Sequence, residues 1–242
     1  MKGIAWIVLF LLGIASPGKA QPLEISHLTG DFYVYTTWKD LETGPFPSNS
    51  MYLVTDAGVV MFDTPWDTTQ FQPLLDSMDA RHHKEVVLCI STHFHDDRTA
   101  GLAFLAAKGI TTYTSAHTRE LSRKEGNPLA RAVFQTDTSF SVGGYHFQTY
   151  YPGPGHSPDN ILIWFPKDQV LYGGCFIKST ESRSLGNLSD ADPATWLHSV
   201  TKALKQFPKP RFVIPGHMDW SDKHSLEHTR QLIRDYLKQS GK

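Results

Sequence analysis

An apolar run, Glu85-Val-Val-Leu-Cys-Ile-Ser91, passes directly into Thr92-His-Phe-His-Asp-Asp-Arg98, and this junction constrains the fold more than any other part of the chain. The uninterrupted apolar stretch predicts a strand covered on both faces, which demands further layers above and below it. In extended backbone, side chains two residues apart face the same way, so His93, His95 and Asp97 converge at the strand's end. Strand ends are where α/β proteins place their sites. A polar loop with incidental histidines rarely shows this spacing in this setting, so the junction reads as a metal-ligand cluster.

The rest of the chain supplies the layers. Residues 31–38 and 51–62 are strand-like, with Asp56-Ala-Gly58 as a turn between short segments. Phe71, Leu74, Leu75 and Met78 recur at helical spacing; a helix over 99–108 stops at Gly109, and a strand follows at 110–114. The same order then repeats. Strands are predicted at 134–140, 145–151, 160–165 and 169–172. Asp192-Pro193 then opens a helix as N-cap and first residue, with Trp196, Leu197, Val200, Ala203 and Leu204 as its apolar stripe. A short strand at 211–214 precedes a terminal helix marked by Leu226, Leu232, Ile233, Tyr236 and Leu237. Two β-rich halves, meeting near residue 130 and each flanked by helices, predict an α/β domain of two sheets packed face to face with helices outside.

With 40% apolar residues among 242 and a net charge of -1, the chain can bury one substantial core, and a single domain over 21–242 is expected. No Lys/Arg cluster marks a nucleic-acid surface, so a small-molecule substrate is favoured. Residues 1–20 read as a signal peptide: Lys2, an apolar run over 4–14, and Gly18-Lys19-Ala20 before the cleavage point. That run of about eleven residues is short of the roughly 20 that span a bilayer, so a periplasmic protein without a membrane anchor is expected. The two cysteines, Cys89 and Cys175, do not suggest a disulfide. Cys89 lies inside the buried strand, and Cys175 follows Gly173-Gly174 at the end of another, where metal ligation gives an unpaired thiol a purpose.

Three further candidates complete two ligand sets: His156 in Pro152-Gly-Pro-Gly-His-Ser-Pro158, Cys175, and His217 in Ile214-Pro-Gly-His217. Neighbouring glycines let backbone approach closely and aim a side chain. Three His, and then His, Cys and Asp, are nitrogen, sulfur and oxygen donors suited to zinc, with open positions left at each metal. The remaining histidines lie in polar or helical surroundings and are expected at the surface.

These residues resemble the metallo-β-lactamase superfamily, and the resemblance runs from Phe62-Asp-Thr-Pro-Trp66 through the terminal helix. It implies a four-layer αββα sandwich. Many superfamily members acting on lactones, thioesters or phosphodiesters carry His after the motif Asp and an Asp bridging their metals; here Arg98 and Cys175 stand at those positions. That combination is similar to the two-zinc, class B β-lactamases with a Cys ligand, and His93 separates the chain from the one-zinc group, which has Asn there. The resemblance implies hydrolysis of penicillins, cephalosporins and carbapenems, hence antibiotic resistance, by two zinc ions and a zinc-bound hydroxide without an acyl-enzyme, in a monomer. It further implies that Lys178 binds the substrate carboxylate, that Asn187 helps polarise the lactam carbonyl, that Asp97 takes part in the chemistry, and that Asp63 and Arg98 steady the ligands. Residues 38–50 correspond to a substrate-covering hairpin, with Phe46 at its expected tip, 43–47. The alternatives left open are another hydrolase of the superfamily and a periplasmic zinc-binding protein without turnover.

Overall fold

The computed structural model describes residues 23–135 and 137–241, so the expected signal peptide lies outside the described residues. Each half of the chain builds its own sheet. β1 (Leu23–Thr29), β2 (Phe32–Leu41), β3 (Gly44–Thr55) and β4 (Gly58–Phe62) form an antiparallel meander. β5 (Val86–Ile90), β6 (Thr111–Ser115) and β7 (Ala132–Phe134) then add in parallel, completing a seven-stranded sheet in chain order. Each parallel addition needs a crossover. α1 (Phe71–His82), the pair α2 (Asp96–Thr99) and α3 (Leu102–Ala107), and α4 (Ala116–Glu125) provide them. The second sheet runs β12-β11-β10-β9-β8. β8 (Ser139–Val142), β9 (Tyr145–Tyr150), β10 (Leu162–Phe165) and β11 (Val170–Gly174) are antiparallel neighbours. After α5 (Pro193–Gln206), β12 (Phe212–Pro215) pairs in parallel with β11, and α6 (Ser225–Gln239) ends the chain.

Three apolar layers separate four structural ones. β4 shows the logic: Val60 and Phe62 face the core between the sheets, while Val59 and Met61 face the helices, and the whole strand is buried. Between the sheets, Phe32 and Phe62 meet Phe165 edge to face, with ring centres 4.8 and 5.4 Å apart, the geometry aromatic quadrupoles favour. Outside the first sheet, Met61 and Cys89 pack under Leu74 and Met78 of α1 and Leu102 and Leu105 of α3. Outside the second, Leu171 and Val213 pack under Trp196 and Val200 of α5 and Ile233 of α6. The molecule is thus an αββα sandwich of two mixed sheets. Asp192 caps α5 as expected, its carboxylate accepting from the amides of Ala194 and Thr195 with Pro193 in the first helical position.

Four local readings differ from expectation. α4 was not foreseen because its buried positions include Thr118 and Ser122 rather than an apolar stripe; its signals are the Ser115 cap and left-handed Gly126. β1 is an additional edge strand with mostly part-exposed or exposed residues. The run 134–140 is not one strand, since β7 ends at Phe134 in one sheet and β8 starts at Ser139 in the other. The single helix expected over 99–108 is two, broken at Gly101, where a Cβ would come within 2.9 Å of Thr64. Both cysteines are free and buried.

Candidate metal centre

β4, β5, β11 and β12 end at one edge of the sandwich, and the chemistry-bearing residues follow them: Asp63, then residues 92–98, Cys175 and His217. His156 arrives from the connection between β9 and β10. Asn160 holds that loop, accepting from the Ser157 amide at 3.0 Å and donating to the Gly153 carbonyl at 3.0 Å. At Gly216 a Cβ would lie 2.6 Å from the Cys175 nitrogen and 2.9 Å from its sulfur, so glycine is what lets the end of β12 pass beside the cysteine.

Three imidazoles meet almost perpendicular to one another. His95 Nδ1 lies 3.1 Å from His93 Nε2 and 3.1 Å from His156 Nε2. Burial lowers the pKa of His93 and His156 well below the ordinary histidine range, keeping both rings neutral. Three ring nitrogens turned on one point cannot all satisfy one another with protons, whereas a cation accepts every lone pair. Zinc–nitrogen bonds of about 2.0–2.1 Å place tetrahedral ligands about 3.3–3.4 Å apart, near the observed spacing. The outer nitrogens are held too: His95 Nε2 meets Asp190 Oδ2 at 3.1 Å and His93 Nδ1 lies 3.3 Å from the Thr92 hydroxyl. His156 Nδ1 is buried and has no hydrogen-bond partner among the described residues.

Beside this triad, Cys175 Sγ lies 3.3 Å from Asp97 Oδ2 and 3.1 Å from His217 Nε2, which is 3.3 Å from the same carboxylate oxygen. His217 Nδ1 donates to the Pro47 carbonyl at 2.7 Å, fixing the tautomer that turns Nε2 inward. His93, Asp97 and Cys175 also offer atoms within 4.8 Å of one another, so the two triads adjoin. Burial alone would raise the Asp97 carboxyl, but the Arg98 guanidinium, His217 and His93 outweigh it and hold it well below the usual carboxylate range. Burial raises the Cys175 thiol against the opposing pull of Arg98, so a thiolate there requires a strong cation. Nitrogen, sulfur and oxygen donors of this kind fit zinc at both triads.

Arg98 organises the floor. Fully buried, it donates to the carbonyls of Asn49 and Gly216 at 2.7 and 2.9 Å, to Cys175 Sγ at 3.1 Å and to the Tyr172 hydroxyl at 3.2 Å, and pairs with Asp97 at 2.9 Å. Asp63, with a left-handed φ of 66°, receives the Thr92 amide and hydroxyl and the Tyr172 hydroxyl. Burial pushes its pKa up to about 6, with Arg98 and Tyr172 restraining the rise.

Above the triads lies a cleft of about 410 Å³ walled by Phe46, Trp66, Lys178, Asn187 and Asp190. Lys178 Nζ stands 5.5 Å from the Trp196 ring centre, and burial lowers its pKa. Asn187 is exposed, its Oδ1 accepting from the Ser189 amide at 3.0 Å. Phe46 is not at the hairpin tip, which is formed by residues 41–44; it sits on β3 with its ring 5.0 Å from that of His217. Every residue singled out in the sequence therefore lies at this one edge. Asp190, Thr92, Tyr172 and Trp66 were not singled out. Thr92 adjoins His93 and Asp190 closes the loop containing Asn187, but neither carries a spacing signal of its own.

Known proteins resemble this chain in sequence and in fold. The family model of the metallo-beta-lactamase superfamily matches residues 43–217. A metallo-beta-lactamase type 2 of Elizabethkingia meningoseptica is 40% identical over 240 residues, 98% of this chain and 96% of its own. One of Bacteroides fragilis is 33% identical over 224 residues, 92% of this chain and 90% of its own. Among solved structures, a metallo-beta-lactamase from Pontibacter korlensis superposes with a TM-score of 0.85 at 30% identity, covering 88% of this chain and all of its own (100%).

Proposed function

This chain belongs to the metallo-beta-lactamase superfamily, and from that membership we propose that it hydrolyses the amide bond of β-lactams with two zinc ions, one held by His93, His95 and His156 and one by Asp97, Cys175 and His217. The observation that carries the reading is the convergence of six donor side chains in two adjoining triads beneath an open cleft. When bound, zinc supplies Lewis acidity and a nucleophile from water at neutral pH.

The chain's own residues then have separable tasks. The lowered basicity of His93, His156 and His217 leaves lone pairs, not protons, facing the ligand positions. Asp97 stays ionised beside Arg98 and offers a carboxylate oxygen to the second ligand set. Lys178 directs an ammonium into the cleft, where it pairs with the carboxylate common to β-lactams. The exposed amide of Asn187 is available to donate to the lactam carbonyl as charge grows there. Phe46 and Trp66 wall the cleft with apolar surface that covers a substrate substituent and displaces water. No side chain is required as a covalent nucleophile. Lys2 and the apolar run over 4–14 support export of the chain to the periplasm.

The test follows the absorbance loss of a carbapenem and a cephalosporin. A chelator should abolish hydrolysis, added zinc should restore it, and a serine-directed acylating inhibitor should leave the rate unchanged. Activity that survives thorough metal removal, or that stops with the acylator, would sink the proposal.

A further inference from the structure

Besides the backbone of Pro47 and Asn49, which His217 and Arg98 bind, the β2–β3 hairpin meets the metal site through the side chains of one cross-strand pair. Lys39 on β2 stands opposite Phe46 on β3. Phe46 reaches toward the second half of the chain, its ring 5.0 Å from His217. Lys39 reaches toward the first half. Its Nζ lies 3.2 Å from Asp96 Oδ2 and 4.7 Å from the centre of the Trp66 ring. Asp96 sits in sequence between His95 and Asp97, and the Trp66 ring is itself 6.4 Å from His217. Beyond this pair, residues 40–43 are exposed.

We propose that Lys39 is a positioning residue for substrate: its ammonium latches the hairpin to Asp96 and Trp66 and thereby fixes where the opposite residue, Phe46, lies over the cleft. The latch is modest. The Lys39 and Asp96 side chains are 33% and 52% exposed, so the ion pair is screened and modest. Ion pair and cation–π contact together favour the latched hairpin by about three- to thirtyfold. That is enough to bias Phe46 over a substrate and too little to trap a product. The effect on substrate rests on the β-lactam reading above, whereas the latch itself does not.

The experiment uses the full-length zinc-loaded enzyme with Lys39→Met, Lys39→Arg, Asp96→Asn and the Lys39→Met/Asp96→Asn pair, and reads three quantities. Backbone amide exchange over residues 38–50 should accelerate about three- to thirtyfold in Lys39→Met at low salt, with wild type moving toward the variant at about 1 M salt. KM for a cephalosporin should rise severalfold while kcat stays within about twofold and zinc content is unchanged. Lys39→Arg should restore both, and the double variant should be no worse than Lys39→Met alone, because that variant already lacks the contact to Asp96. Unchanged exchange in Lys39→Met, additive effects in the double variant, or faster exchange without a rise in KM would each overturn the proposal. If wild type lacked β-lactamase activity, the functional reading would fail while the exchange data still judged the latch.

Discussion

Replacing Arg98 with alanine should unfold the metal-free protein far more readily than the zinc-loaded one. The guanidinium is fully buried and contacts Asp97, Cys175, Asn49, Tyr172 and Gly216, with Asp63 3.6 Å away. Without it, two buried carboxylates lose their compensating charge. Breaking a buried pair by removing one partner costs about 3–5 kcal/mol, and for a domain of this size each kcal/mol shifts Tm by about 2–4 °C, so the metal-free variant should melt about 6–20 °C lower. Zinc changes the sum, because a dication beside Asp97 and Cys175 supplies positive charge where the guanidinium stood, while the emptied contacts to Asn49 and Gly216 remain. The gap between wild type and Arg98→Ala should therefore narrow on adding zinc. Thermal unfolding of both proteins, each with chelator and with zinc, measures the four values needed. A metal-free variant melting within about 2 °C of wild type, or a gap indifferent to zinc, would refute this account of Arg98.

Cys175→Ser should retain about one zinc per chain instead of two, since the three-histidine set is untouched and the softest donor of the other set is lost; elemental analysis showing both metals retained at full activity would contradict the second ligand set. Lys178→Ala should lower kcat/KM about ten- to 150-fold with unchanged zinc content, the worth of one charged hydrogen bond; steady-state kinetics matching wild type would leave Lys178 only its packing against Trp196. Asp63 binds its proton more tightly folded than unfolded, with a folded pKa of about 6, so its favourable contribution is complete below the ordinary carboxylate range and is lost as pH rises through about 6. In urea titrations of the metal-free protein, wild type should accordingly lose up to about 3 kcal/mol relative to Asp63→Asn between about pH 4 and 7, and a pH-independent difference would show that Asp63 is not the titrating group.

How much of this could be read from the chain depended on whether a residue's signal was local. His93, His95 and Asp97 share one strand end, so period-two geometry alone groups them. His156, Cys175 and His217 needed glycine contexts and chemical type, because their convergence is produced by sheet packing rather than by spacing. Asp190 had neither advantage, being one loop aspartate among many, and only the fold brings it to His95. Helix α4 escaped for the same reason in reverse: its buried Thr118 and Ser122 serve packing without hydrophobic periodicity. The strand expected over 134–140 failed because periodicity describes a segment's face, not which of two sheets receives it.

Each triad draws on both halves of the chain: His93 and His95 come from the first and His156 from the second, Asp97 from the first and Cys175 and His217 from the second. Neither half could load a metal alone. Zinc uptake is therefore a report on assembly, made only when two independently built sheets have docked in register. By the same coupling, an environment that withholds the metal would withdraw a cross-link from the junction of the sheets. Scarcity of the ion would then be felt first as a loosening between the halves, and the abundance of this enzyme in a metal-starved compartment would be set by how long that junction survives proteolysis.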